Sequence, residues 1–594
     1  MLHSFLKGSS LLFLISMLAS AVTALADMIA PQIVRVAVDQ VMNGVSAEHL
    51  PAFVKHLIEA AGGVEFLRLH IGLMALALVA VAAVKVISQY GYEVSKTRAS
   101  EKLVKTMRDR LFSHIIRLPY DWHMHNSTGD IIQRCTSDID TLKGFVAEQL
   151  TNLIRILILL VLSLTFMLGM DPNLTLVAML PVPVIIYYSF RFHRKIGEAF
   201  QACDENEGLL SAIAQENLTG VRVVRAFGRE RRERDRFESQ NRYYTDLWMK
   251  LAKPLATFWS VGDVLSGLQI LLTVVFGAVF CIRGRMNPGA YIAFLSYCAM
   301  MSWPVRMLGR MISEMSKAGI SLERIRYIMQ AEEERESEKA LTPDLRGDVV
   351  FNHVSFSYEE GKEVLHDLNF TVPAGTTLGI LGGTGSGKST VVLLLDKLYE
   401  LPPESGRITI GGTDIRDIRT DYLRKNIGIV LQEPFLFSRS IAENIAIHED
   451  TISPERIREA AAAACLDETV MEFAKGYDTM VGERGMTLSG GQKQRTAIAR
   501  TLIHEYPILV FDDSMSAVDT ETDAKIRSTL ESLFGHATII LISHSISTLS
   551  RADRILVLDH GHIVEQGCHE DLKEAGGIYQ QICDIQSGSE AEQI

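Results

Sequence analysis

At 594 residues the chain is too long for one domain, and 47% hydrophobic content beside 22% charged residues fits a membrane part joined to a soluble part. A net charge of −12 argues against a nucleic-acid partner. Its cysteines are scattered without a CxxC pair, which reads as reduced thiols and not as a disulfide framework or zinc site.

Apolar stretches near the roughly 20 residues that a bilayer requires recur along the first half. They are Leu11–Val34, Phe66–Gln89, Leu150–Met170, Leu174–Phe192, Leu255–Ile282 and Ala290–Met311, a six-span α-helical transmembrane domain. Between the second and third lies a long polar segment carrying Lys96, Arg98, Lys102, Lys105, Arg108, Arg110, Arg117, Arg134 and Lys143. A second, dense in arginine from Arg191 to Arg236, separates the fourth and fifth. The connections on the other side are short or poor in Lys and Arg, so the positive-inside rule puts both long loops and both chain ends in the cytoplasm of a multi-pass inner-membrane protein. Segments 95–115 and 200–217 mix apolar and charged residues at helical spacing, which predicts membrane helices extended into the cytoplasm. Short turns are expected at their tips, around Leu118–Asp130 and Asn217–Gly228.

Lys7 with the apolar run up to Ala24–Leu25–Ala26 has the look of a signal peptide. Cleavage there would leave five spans and put the C-terminal half on the side of the membrane away from the cytoplasm, so the first stretch is read as a span. His123 and His125 lack a third ligand and are read as surface residues. Among charges in or near the spans, Lys85 and Arg155 are expected to reach the interface, while Asp27 and Asp263 are the better candidates for a substrate cavity. Pro31, Pro181, Pro183 and Pro304 are expected to loosen their helices.

Residues 1–328 thus form the membrane domain and 329–346 an acidic, solvated linker; 347–584 form an α/β domain, followed by a polar tail at 585–594. Val349–Tyr358 and Thr376–Leu381 read as strands, and the second runs into GGTGSGKST. This is a strand, a G-x-x-x-x-G-K-[ST] phosphate loop and a helix over Val391–Tyr399. Glycines at Gly382, Gly383, Gly385 and Gly387, with Thr384 and Ser386 between them, let backbone amides cradle phosphate oxygens. Lys388 reaches the β- and γ-phosphates, Ser389 holds Mg²⁺, and Thr390 follows at the helix start. A second buried strand, Ile508–Phe511, ends on Asp512, placed to hold Mg²⁺, with Asp513 beside it. Between them lie Gln432 after a strand, VGERG at 481–485, and LSGGQ at 488–492, where Ser489, Gly490 and Gly491 offer a hydroxyl and bare amides to an anion.

In this order the motifs resemble a half-size ATP-binding cassette exporter over nearly the whole chain. The resemblance implies that Tyr358 stacks adenine, that Gln432 joins Ser389 and Asp512 around Mg²⁺, and that His544 in LISHS and the turn Ser516–Asp519 serve the reaction. TGDIIQRCTSDID at 128–140 and GVRVVRAFGRE at 220–230 resemble the cytoplasmic loops that dock on the ATP-binding domains of that family. It also implies head-to-tail dimers, each ATP held between one phosphate loop and, in trans, Ser489, Gly490, Gly491 and Gln492 of the other chain. The sequence departs from the pattern at Asp513, where active members carry the Glu that orients or deprotonates water. Asp is shorter by roughly 1.5 Å, so binding is expected to survive while hydrolysis at this chain's own site is weak.

That asymmetry resembles heterodimeric bacterial multidrug exporters and implies a different half-transporter as partner, with a small lipophilic substrate drawn from the bilayer. A homodimeric lipid or peptide exporter and a non-pumping ATP-binding regulatory subunit are the alternatives. A soluble cassette acting on DNA is excluded by the spans and the acidic charge.

Overall fold

The computed structural model describes residues 5–45, 55–56, 59, 62–336, 339–359, 361–448, 451–482, 485–515 and 517–591. It divides into two compact units, Met1–Arg117 with Asn126–Ala331, and Leu118–His125 with Glu332–Ile594.

Among the described residues, five helices of the first unit are long and apolar enough to cross a membrane: α1 (Ser10–Met42), α2 (Gly72–Ile115), α4 (Thr128–Met170), α5 (Pro172–Thr219) and α7 (Glu230–Ile282). The sixth expected span falls inside α8 (Pro288–Gln330), which is a continuous helix but is not among those five. Tyr291, Tyr297, Trp303, Pro304 and Arg306 dilute its apolar run. α2 runs unbroken to Ile115 and α5 continues to Thr219, so segments 95–115 and 200–217 are helical and continuous with the apolar stretches before them. The tips are not the simple turns expected: Tyr120–His125 (α3) and Val221–Ala226 (α6) are themselves short helices.

Where α2 presents Leu76, Val79, Val86 and Ile87 to the outside, lipid is as good a solvent as a protein core. The inner faces of α1, α4, α5 and α8 close on Met28, Met167, Leu174, Phe294 and Tyr297. Inside this packing the Tyr297 hydroxyl has both its bonds, donating to the Met28 carbonyl at 2.6 Å and accepting from Gln32 at 2.9 Å. Asp39, fully buried, accepts from the first amides of α8 at Gly289 (2.6 Å) and Ala290 (3.0 Å), a cap supplied by another helix. Pro31 and Pro304 lie inside continuous helices, whereas α5 is interrupted at Leu180–Pro181.

The charged residues singled out from sequence are paired. Asp27 meets Lys85 at 2.6 Å and Arg155 at 4.0 Å, and Asp263 meets Arg306 at 2.6 Å. Lys85 and Arg155 therefore do more than reach the interface.

In the second unit a four-stranded antiparallel sheet of β1 (Val349–Glu359), β2 (Lys362–Val372), β4 (Arg407–Ile410) and β5 (Thr413–Asp414) runs in the order β2-β1-β4-β5. The main sheet holds β3 (Thr377–Gly382), β6 (Ile427–Val430), β7 (Ile508–Asp512), β8 (Thr538–Ile542), β9 (Arg554–Asp559) and β10 (His562–Gly567). Its order is β10-β9-β3-β8-β7-β6, parallel except for β10. Both faces are covered, so β7 and β8 are buried at every position. Sequence order jumps across β3, and ligands of open parallel sheets sit beyond the carboxyl ends of strands at such a point.

The acidic linker is not free in solvent. Glu334 takes a bidentate bond from Arg424 at 2.6 and 2.9 Å, Lys339 pairs with Asp417 at 2.7 Å, and Leu341 bridges Ile418. Arg424 also donates to the carbonyls of Asp396 and Lys397, behind the phosphate-loop helix. Beside it the Asp396 carboxyl is pushed up to about 7, chiefly by burial and against the pull of Arg424. An unfolded Asp titrates near about 3.9, so between these values the folded chain holds the extra proton and stability falls as pH rises. Asp396→Asn should flatten this loss and raise the melting temperature at pH 8 by roughly 3 °C or more, read by thermal unfolding of the full chain across pH 5 to 8.

Candidate functional site

β3 delivers the phosphate loop to the carboxyl edge of the main sheet. At Gly382 a Cβ would lie 2.4 Å from the Leu558 carbonyl oxygen and 2.5 Å from Ser386 Oγ, so only glycine lets the loop leave the strand there. Gly387, at φ +95, precedes the helix α9 (Lys388–Leu395), and a Cβ on it would meet Leu365 at 2.5 Å. Thr384 and Gly385 form the turn, Gly385 also at a positive φ. The helix starts at Lys388, earlier than the predicted Val391, and stops at Leu395.

The Lys388 ammonium is buried and donates to the carbonyls of Gly382 at 2.8 Å and Gly383 at 2.7 Å, bracing the loop on itself. Burial lowers its pKa, opposed by the carboxylates of Asp512 and Asp513. Asp512 ends β7, buried, and its pKa is raised by burial; the Ser389 hydroxyl bonded to it and the Lys388 charge pull the other way. Thr390 adds a partner not foreseen from sequence: its hydroxyl shares a 2.8 Å bond with Tyr358. The Tyr358 ring sits edge-on to Tyr399 at 4.9 Å, and Tyr399 edge-on to Tyr120 of α3 at 5.5 Å. The adenine candidate is thus tied to a loop tip from the membrane half of the sequence.

Asp513 stands at φ +45, a left-handed backbone that Asp tolerates better than most side chains. Its amide donates to the Ile542 carbonyl at 2.9 Å, and its carboxylate accepts from Gln432 Nε2 at 3.2 Å. Two candidates far apart in sequence are therefore joined. His544 lies exposed just past β8 and favours the charge on Asp512. Its carbonyl accepts from Gln586 at 2.8 Å.

Ser489 caps helix α11 (Gly490–Leu502), its hydroxyl accepting from the Gln492 amide at 3.3 Å while the Gln492 side chain accepts from the Ser489 amide at 2.9 Å. Accepting leaves the hydroxyl proton to be given away. A Cβ on Gly491 would stand 3.0 Å from the Ala517 carbonyl, and Ala517 donates its amide to Gln494 at 3.0 Å. Among the described residues no hydrogen bond or ion pair links Ser489–Gln492 to the phosphate loop. Asp519 caps α12 (Thr520–Phe534). Glu483, Arg484 and Ser516, also singled out from sequence, lie outside the described residues.

The residues present fit a nucleotide triphosphate with Mg²⁺. Gly382 and Gly387 have no space for side chains, a buried ammonium stands in the loop, and the hydroxyl, amide and carboxylate of Ser389, Gln432 and Asp512 are the hard oxygen donors Mg²⁺ takes.

Residues 13–305 match the ABC transporter transmembrane region, and residues 365–516 match the ABC transporter family. Among relatives, the uncharacterized ABC transporter ATP-binding protein YknU of Bacillus subtilis (strain 168) is 35% identical over 86% of this chain and 88% of its own length. The putative multidrug export ATP-binding/permease protein YgaD of the same organism is 34% identical over 82% of this chain and 84% of its own. The ATP-dependent lipid A-core flippase of Legionella pneumophila (strain Lens) is 33% identical, covering 82% and 83%. A solved bacterial Atm1-family ABC exporter with ATP bound superposes with TM-score 0.80 at 29% identity, over 98% of this chain and 99% of that one. The chain belongs to the ABC transporter family. It is a half-size exporter with the Atm1-family fold, a multi-pass membrane protein whose ATPase domain couples hydrolysis to transport.

Gly382→Ala should weaken ATP binding at least tenfold, because the added methyl displaces Leu558 or Ser386 beneath the loop. Fluorescent ATP-analogue titration of the purified chain checks it, with intact secondary structure as the control.

Proposed function

We propose that this chain is the weakly hydrolytic half of a heterodimeric exporter in the cell (inner) membrane. Both termini and the ATP-binding domain face the cytoplasm, α8 supplies the sixth span, and the substrate is small and lipophilic. Lys388 and the amides of Gly382–Thr390 hold the triphosphate, Ser389, Gln432 and Asp512 hold Mg²⁺, and Tyr358 takes the adenine. Ser489, Gly490, Gly491 and Gln492 complete the partner's site in trans.

Asp513 carries this reading. A general base must come within about 2.6–3.2 Å of the proton it removes, and its loss costs about 10²–10⁴-fold in rate. The Asp513 arm is short and bonded to Gln432, which supports a carboxylate held back from water while Lys388 and Asp512 still bind. His544 remains to orient the leaving phosphate oxygens. ATP binding between this chain and its partner closes the cassettes, and the aromatic contact of Tyr358 and Tyr399 with Tyr120 offers the path by which closure reaches the membrane helices. The names of the relatives support a lipophilic substrate, multidrug or lipid.

ATPase measurements test the pairing. The purified chain alone should turn over at least tenfold slower than a mixture with a half-transporter carrying Glu after its metal-binding Asp; equal, vigorous turnover by the chain alone would make the homodimer the right reading. Asp513→Glu should raise turnover of the isolated chain by about tenfold or more, measured as phosphate release. An unchanged rate would place the block elsewhere.

A further inference from the structure

Within the membrane unit a cavity of about 490 Å³ opens between α4 and α8, large enough for a drug-sized ligand. Its walls are apolar at Leu159, Met307 and Trp303, and it holds two guanidinium groups, Arg155 and Arg310. Trp303 stacks on Trp259 at 5.7 Å, which fixes the aromatic wall.

The charge count decides what such a cavity accepts. Asp27 is engaged by Lys85 at 2.6 Å and reaches Arg155 only at 4.0 Å, so those three groups carry one net positive charge. Arg306 is already matched by Asp263 at 2.6 Å, and Glu314 by Lys317 at 3.5 Å. Among the described residues no carboxylate pairs with Arg310, and Glu148 is the single acid in the cavity wall. The surplus is positive. Arginine's planar fork matches a carboxylate or phosphate through two parallel bonds, and ionisable side chains among membrane helices mark substrate paths.

We propose that this cavity binds amphipathic anions, with Arg155 and Arg310 gripping a phosphate or carboxylate head while Leu159, Met307 and Trp303 hold the apolar body. This narrows the lipophilic substrate of the exporter reading, on which it rests, to one charge class. It also reverses the expectation that the acids Asp27 and Asp263 would face the substrate.

The test uses the full chain in phosphatidylcholine nanodiscs and radiolabelled decyl phosphate, with empty nanodiscs subtracted. Saturable binding is expected that neither decyltrimethylammonium nor inorganic phosphate displaces at equal concentration. Displacement by inorganic phosphate alone would identify a simple phosphate site and overturn the amphipathic assignment. Arg155→Ala and Arg310→Ala should each weaken binding about tenfold or more, with partial recovery in Arg155→Lys and Arg310→Lys. Displacement by the cation, or affinity unchanged in both alanine variants, overturns the proposal. Should an alanine variant fail to elute as a single species, the lysine variants and the cation competition on unaltered protein decide. ATP turnover is measured on the same nanodiscs, alone and with a Glu-bearing partner. Its absence in both refutes the exporter reading whatever the binding arms return, and anion-free binding beside normal turnover refutes only the anion.

Discussion

Two opposite charges taken out of water, the Lys388 ammonium in the phosphate loop and the Asp512 carboxylate at the end of β7, set the requirements for the rest of the cassette. Burial pushes each toward its neutral form, and each counters the push on the other. Isolated, either would cost several kcal/mol. The sheet order places β3 and β7 on either side of β8, so the loop and the carboxylate share one edge. The tight exit at Gly382 then turns the loop back over that edge, and Ser389 closes the gap with a bond to Asp512.

The membrane unit obeys the same rule in a harsher solvent. Three of its buried polar groups are answered by neighbours on other helices: Asp39 by the start of α8, Tyr297 by α1, Arg306 by Asp263. These pairings pin the helix interfaces, because lipid gives an unpaired group nothing in return. Against that background the loosely held guanidinium groups of the α4–α8 cavity stand out, and they are the basis for assigning it an anionic ligand.

What the sequence disclosed and what it withheld divide along a physical line. The phosphate loop, the Asp512 strand and the LSGGQ turn are local: strand, glycines and helix start follow one another within a few residues, so both chemistry and backbone can be read directly. The Gln432–Asp513 bond joins residues 81 apart, and the Tyr358–Thr390 bond residues 32 apart. Neither leaves a periodic trace. A linker without an apolar face reads as solvated, yet ion pairs such as Glu334–Arg424 tie it down without needing one. The loop tips read as turns in the sequence because α3 and α6 are too short for helical periodicity to register. α8 is the instructive case: the sequence points to its helix, but the buried Tyr297 and Arg306, with Tyr291 and the exposed Trp303, weaken the apolar signal that defines a span.

Asp513 sits where local and global demands meet. A left-handed backbone disfavours L-residues by roughly 1–2 kcal/mol, with Asp and Asn the exceptions because a short polar side chain bonds locally. At φ +45, with its amide held by Ile542 and its carboxylate by Gln432, Asp513 satisfies that conformation. A Glu would bring the longer reach but less of the local compensation. The proposed division of labour then has a structural logic: a chain relieved of hydrolysis can keep the residue that best fits its backbone, and its intact signature helix still presents Ser489 to a site completed elsewhere. On that proposal binding and cutting are separable because they would rest on different atoms, the first on the loop amides, Lys388 and Asp512, the second on the reach of one side chain beside them.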